Sequence, residues 1–208
     1  TIIFAPGAGL EIQGGLNATG AIFDAQDPFM GWDGIFINGA QGQILIQNCQ
    51  VQHAVVGITF INSSGSVIDC NISKDAENNS FTGEAGVVIE GESSPVIDGL
   101  NISNYNAGIV IQNTDGANCS PTISHIFIQV PPGQERSAGT GISVMGNVGL
   151  NLEEAEIAEY DTGIDFNAAP AMENRNTALL TNIRVRNSST TSRSINTAMN
   201  LTNVGMVQ

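Results

Sequence analysis

Positive charge is what this chain has least of. Its 208 residues include 6 Lys and Arg, of which Lys74 is the single lysine, against 20 Asp and Glu, for a net charge of -14. A surface this acidic repels polyanions, so nucleic acid and anionic lipid are poor partners. Charged residues are few overall, 12%, while 41% are apolar. That is too apolar for a disordered chain and too polar for one that lives in a bilayer. No apolar run reaches the ~20 residues of a membrane-spanning helix. Cysteine is scarce as well. Cys49, Cys70 and Cys119 form no disulfide framework, and no Cys-x-x-Cys or Cys/His cluster offers a metal site.

What the chain does have is β-branched residues and turn formers. It holds 25 Ile and 14 Val against 9 Leu, with 24 Gly and 22 Asn. This balance favours strands over helices and many turns. A short phrase recurs: Gly34-Ile35-Phe36-Ile37, Gly57-Ile58-Thr59-Phe60, Gly86-Val87-Val88-Ile89, Gly108-Ile109-Val110-Ile111, Gly141-Ile142-Ser143-Val144 and Gly163-Ile164-Asp165-Phe166. The steps from Gly to Gly are 23, 29, 22, 33 and 22 residues. A second phrase spaces its apolar residues alike in Ile46-x-x-Cys49-x-Val51, Ile97-x-x-Leu100-x-Ile102, Ile123-x-x-Ile126-x-Ile128, Leu152-x-x-Ala155-x-Ile157 and Leu180-x-x-Ile183-x-Val185. The unit of about 22 residues suits one turn of a solenoid. The segment 150–160 has helix-forming residues, but its apolar spacing matches the other repeats and predicts a strand.

One geometry satisfies these periods: all-β, a right-handed parallel β-helix of about eight coils with Ile, Val and Leu stacked inward along the axis. On these motifs the chain resembles the pectate-lyase-like β-helix superfamily, and more closely the repeat segments of large secreted or cell-surface proteins. The opening stretch 1–20, followed by Trp32-Asp33-Gly34-Ile35, looks like the first coils of such segments. The expectation is a single domain, 1–208, cut from a longer protein. That superfamily includes lyases, hydrolases, binding modules and inert spacers, so the fold alone does not name the chemistry.

Departures from the repeat become surface loops, where function concentrates. Insertions are expected at 74–84, 131–140 and 168–176, with a smaller one at 113–120. Asn113-Thr114-Asp115-Gly116 resembles the acid-bearing motif of the polygalacturonase family, which makes Asp115 a catalytic candidate. The aspartate pair and Gly-His-Gly that follow in that family are missing, and Arg184-Val185-Arg186 is a loose echo of its basic motif. A turn is the preferred reading. The lyase resemblance implies a basic residue beside carboxylates that hold Ca²⁺. Asp69 and Asp98, next to Ile68 and Ile97, are expected at equivalent outward positions of successive coils. They are the candidate Ca²⁺ ligands, with Lys74 the nearest base. His53 and His125 read as ordinary turn or surface residues.

Cys49 and Cys70 are expected to stack inward at one position, later filled by Leu100 and Ile126, as thiols or as a bridge. Gln50, Asn71 and Asn101 should form an outward polar row, as should Gln52, Ser73 and Ser103. Val88 and Val110 stand as an outward apolar pair. Sequons occur at Asn17, Asn62, Asn71, Asn78, Asn101, Asn118, Asn187 and Asn200. Their number fits a secreted or cell-surface glycoprotein. The expected function is an extracellular structural or adhesive module that contacts polysaccharide or further copies of itself. The alternative is a polysaccharide lyase or glycoside hydrolase on an acidic polysaccharide, with Ca²⁺ as its cofactor. No dense set of acids, bases and histidines converges in the pattern, which favours the first reading.

Overall fold

A computed structural model describes residues 1–74, 83–113, 118–130, 139–167, 177–186 and 197–202. Every element among them is a strand. In chain order these are β1 (Ile2–Phe4), β2 (Gly9–Ile12), β3 (Leu16–Thr19), β4 (Ile22–Ala25), β5 (Gly34–Asn38), β6 (Ile44–Gln47), β7 (Gln50–Gln52), β8 (Val56–Ile61), β9 (Ser66–Ile68), β10 (Asn71–Ser73) and β11 (Gly83–Glu90). They continue as β12 (Val96–Asp98), β13 (Asn101–Ser103), β14 (Tyr105–Asn113), β15 (Thr122–Gln129), β16 (Thr140–Gly146), β17 (Gly149–Ala158), β18 (Thr162–Asn167), β19 (Thr177–Thr181), β20 (Arg184–Arg186) and β21 (Thr197–Thr202). The segment 150–160, which could pass for a helix on propensity, is strand through Ala158.

All strand pairings are parallel, and they resolve into three ladders. The first, carrying the Gly phrase, runs β2-β5-β8-β11-β14-β16-β18-β21. The second runs β3-β6-β9-β12 into the N-terminal halves of β15 and β17 and on to β19. The third runs β1-β4-β7-β10-β13 into the C-terminal halves of β15 and β17 and on to β20. Because β15 and β17 pass through a bend, the second and third ladders count as one 13-stranded sheet. Long parallel sheets with this order are compatible with a β-helix-like solenoid.

Each ladder turns one face inward, and like stacks on like. Ile46, Val67, Ile97, Ile123 and Leu152 are in register along the second ladder, and all are buried. Val51, Ile72, Ile102, Ile128 and Ile157 do the same along the third. Ile35, Ile58, Val87, Ile109, Ile142 and Ile164 do so along the first. Burying each such side chain contributes about 1.5–3 kcal/mol before chain entropy is set against it.

The corners explain the polar part of the repeat. Between the second and third ladders one residue per coil adopts a left-handed backbone: Gly20, Asn48, Asp69, Gly99, His125, Glu154 and Asn182, with φ from 50° to 67°. Gly, Asn and Asp accept that conformation at least cost. Between the first and second ladders, serine hydroxyls tie coils together. The Ser63 amide donates to Ser93 Oγ at 3.0 Å and the Ala40 amide to Ser63 Oγ at 3.0 Å. At the third corner buried aromatic rings supply donors: Trp32 Nε1 to the Gln52 carbonyl, the Tyr105 hydroxyl to that of Ala54, and the Tyr160 hydroxyl to that of Tyr105. These bonds let Tyr and Trp fill the core without leaving a donor unsatisfied.

The glycine of the phrase is required by distance rather than by φ. A Cβ on Gly57, Gly86, Gly108 or Gly141 would fall inside 3.0 Å of the carbonyl oxygen of the next Gly in the column. It would also strike the Cγ2 of Ile72, Ile102, Ile128 or Ile157 respectively. Nothing but hydrogen fits between the first ladder and the isoleucine stack of the third. Gly108→Ala is therefore expected to lose ~1–3 kcal/mol of stability, read as a lower urea midpoint. Gly14→Ala, where a Cβ meets nothing within 4 Å, should hold or raise that midpoint.

Candidate functional site

The corner between the second and third ladders gathers the described chemistry. The third ladder begins there with an outward polar row, Gln50, Asn71 and Asn101, in direct register on β7, β10 and β13. Gln52, Ser73 and Ser103 form the parallel row at the other end of the same strands. The corner column beside the amides reads Asn48, Asp69, Gly99, His125. Where it reaches Gly99 there is no side chain, and Asp69 Oδ1 lies where a Cβ would stand. Beside Gly99 lies a recess of about 300 Å³, lined by Asn48, Gln50, Asp69, Asn71 and Asn101 with Cys49 and Cys70 beneath. Its polar groups are amides and one carboxylate, a donor and acceptor set suited to hydroxyl groups.

Directly beyond Gly99 stands a chain of ionisable side chains. His125 Nδ1 lies 2.7 Å from Asp98 Oδ1, and His125 Nε2 lies 3.2 Å from Glu154 Oε2. Ser124 Oγ donates to the same Asp98 oxygen at 2.8 Å. Three successive coils are stapled through one imidazole. The hydrogen bond from His125, then that from Ser124, hold the Asp98 carboxyl below its ordinary range. The same bond from Asp98, followed by the charges of Glu154 and Glu153, raises the His125 imidazole above its ordinary range. His125 and Glu154 also occupy the left-handed corner that the other coils give to Gly, Asn or Asp. Glu154, a residue poorly suited to that backbone, and His125 occur in adjacent coils and pair with each other.

Here the register departs from the expectation for Asp69 and Asp98. Val67 pairs with Ile97, and Ile68 pairs with Asp98, so Asp69 is the coil equivalent of Gly99. The two aspartates are offset by one residue and do not stack. Asp69 faces the recess, and Asp98 is engaged by His125 and Ser124. Among the described residues no group of three or more His, Cys, Asp and Glu is placed to hold a metal ion. The stacked pair expected to hold Ca²⁺ is therefore not formed by Asp69 and Asp98. Lys74 does not approach either aspartate's corner: it follows β10 at the far end from Asp69, and it is buried. Asp115, Asn78, Asn187 and most of the expected insertions lie outside the described residues.

Of the remaining candidates, His53 Nδ1 lies 2.7 Å from Asp24 Oδ1, so both histidines contact an aspartate of the preceding coil. Arg184 and Arg186 both turn to Glu156, the latter at 2.6 Å. Asn17, Asn62, Asn71, Asn101, Asn118 and Asn200 are exposed. The Asn62 amide oxygen accepts the Glu92 N–H and the Asn200 amide donates to Asp165. Asn71 and Asn101 stand one strand spacing apart, about 4.8 Å, which is too close for two glycans side by side. Cys49, Cys70 and Cys119 are free and buried, with the Cys49 N–H 3.4 Å from Cys70 Sγ. Burial pushes the thiols of Cys70 and Cys119 up to about 11.

No family model, curated protein or solved structure matches the chain. No helix among the described residues is long and apolar enough to cross a membrane.

Two outcomes follow from the corner's electrostatics. A raised imidazole stabilises the fold while protonated and stops doing so as pH climbs through its folded value. A depressed carboxyl stabilises above its ordinary value and stops as pH falls through its folded one. The staple is thus fully formed between the ordinary values of 3.8 for Asp98 and 6.5 for His125. The melting temperature of His125→Gln should fall below that of the parent by about a degree near pH 5.5, and the gap should close by about pH 9. The thiols are tested separately. With two of the three held near 11, a colorimetric thiol reagent at about pH 8 should find almost none reactive in the native protein and all three in guanidinium.

Proposed function

We propose that the chain is a right-handed parallel β-helix of about eight coils, of the pectate-lyase-like kind, acting as a structural or adhesive module of a secreted or cell-surface protein. Its ligand on this reading is a neutral polysaccharide, held at the recess beside Gly99. The observation that carries the proposal is the amide row Gln50, Asn71 and Asn101 opening onto that recess. Amides repeated at the strand spacing offer paired donors and acceptors to successive hydroxyls, while a core stacked coil on coil keeps them in place. The acid load favours uncharged sugars over uronates, since a polyanion meets repulsion on approach.

The catalytic alternative draws less from the geometry. Asp98 is tied to His125, and Lys74 is buried away from both aspartates. Titration of neutral oligosaccharides against the protein, followed by calorimetry or a glycan array, tests the binding reading. Weak binding is expected, with dissociation constants of about 0.1–1 mM, and a loss of about fivefold or more in Asn71→Ala/Asn101→Ala. Absence of binding to every neutral glycan overturns the carbohydrate assignment. Release of unsaturated or reducing ends from uronate polymers would replace it with the lyase or hydrolase reading.

A further inference from the structure

The outward face of the first ladder carries a second concave surface, on a different side of the molecule from the recess. Phe36, Thr59, Val88 and Val110 follow one another in register on β5, β8, β11 and β14. They form the floor of a groove of about 400 Å³. Thr59 points outward yet is only 6% exposed. Phe36, Val56, Ile61 and Val88 line the groove with it. The apolar run is local. The next residues of the same ladder are Ser143 and Asp165, so the stripe ends after four coils.

Among the described residues the charged groups lining the groove are Glu84 and Glu90, and both are acidic. Gln112 donates to the Glu90 carboxylate, which fixes that rim. Among the described residues no Lys or Arg lines it, and the whole chain carries -14. An apolar floor excludes a purely polar ligand, and acidic rims exclude a polyanion. What remains is an extended chain with apolar side chains to lay on the floor and basic ones to meet the glutamates. Four coils span three strand spacings, about 14 Å, which is the length of four or five extended residues.

We propose that this groove is a docking site for a short, extended, basic peptide segment of a partner protein. It binds Val or Leu side chains over Thr59, Val88 and Val110 and places Lys or Arg beside Glu84 and Glu90. The proposal is independent of carbohydrate binding at the other corner and survives its failure.

The test is a fluorescence-polarisation titration of the whole chain with a labelled hexapeptide alternating lysine and valine, with a hexapeptide alternating glutamate and valine as control. The basic probe should bind and the acidic one should not. Affinity for the basic probe should drop about tenfold between 50 mM and 500 mM salt. Glu84→Gln/Glu90→Gln should weaken it by a similar factor. Val110→Arg should abolish binding, whereas Ser143→Arg, one coil beyond the groove, should leave it within about twofold. The glutamine pair sits at the exposed or half-buried rim, so it reads the site even if the arginine variant is unstable. No binding of the basic probe overturns the proposal. Equal loss in Ser143→Arg and Val110→Arg overturns it too, by reducing the effect to diffuse charge attraction.

Discussion

Neighbouring strands of a parallel ladder lie about 4.8 Å apart, and that single distance governs what each position can hold. A residue's closest contacts are the equivalents above and below it, so chemistry suited to one coil must suit the next. At the Gly phrase the constraint is steric. Gly57, Gly86, Gly108 and Gly141 each lie against the carbonyl of the next, with an isoleucine of the third ladder pressed on the other side. In the core the same distance favours β-branched side chains, whose fixed rotamers nest when repeated in register. The high Ile and low Leu content follows from this geometry rather than from a general taste for apolar residues.

The corner chemistry is a consequence of the same stacking. A chain that turns between two ladders without breaking hydrogen bonds to its neighbours needs one left-handed residue at a fixed place in every coil. The Asn48 amide donates to the Ile68 carbonyl, that of Asp69 to Asp98, and that of Gly99 to Ser124, so the ladder continues through the bend. Variation in this column is where polar function can be written without disturbing the core. A recess lies beside the glycine there, and His125 with Glu154 there builds a staple across coils. Each of the latter accepts a strained backbone, whose cost of about 1–2 kcal/mol the fold must carry elsewhere.

This explains which parts of the molecule could be read in advance. The inward positions repeat the same few residue types, so spacing alone placed Ile46, Cys49 and Val51 and their equivalents, and it placed Cys49 beside Cys70. The alignment failed for Asp69 and Asp98 because it anchored on Ile68. That residue is apolar but points outward and is half-buried, while the core position belongs to Val67. Slipping by one residue moves a side chain to the other face, which here separated the supposed pair. The His125 staple was hidden for a different reason. Its corner tolerates Gly, Asn, Asp, His and Glu, so composition gives no periodic signal there. Carrying the second phrase forward to the residue before Ile126 and Ala155 would have placed His125 and Glu154 together. The groove was visible only as the pair Val88 and Val110. Alternation marks a residue as outward, but period-two reasoning does not show how deeply Thr59 is buried.

The distribution of charge then divides the surface into regions with different partners. Arg186 is paired with Glu156 at 2.6 Å, the exposed Arg184 lies 3.9 Å from the same carboxylate, and Lys74 is buried. Glutamates flank the apolar groove, and uncharged amides line most of the recess, where Asp69 is the one carboxylate. Both proposed sites are thus unfavourable to a polyanion and differ in the chemistry they offer. The recess suits hydroxyls because its amides both donate and accept. The groove suits apolar groups accompanied by positive charge because most of its floor is apolar and its described charged groups are carboxylates. On the two proposed readings, a stack that holds both sets of groups in register is physically suited to bridging a neutral glycan and a basic protein segment.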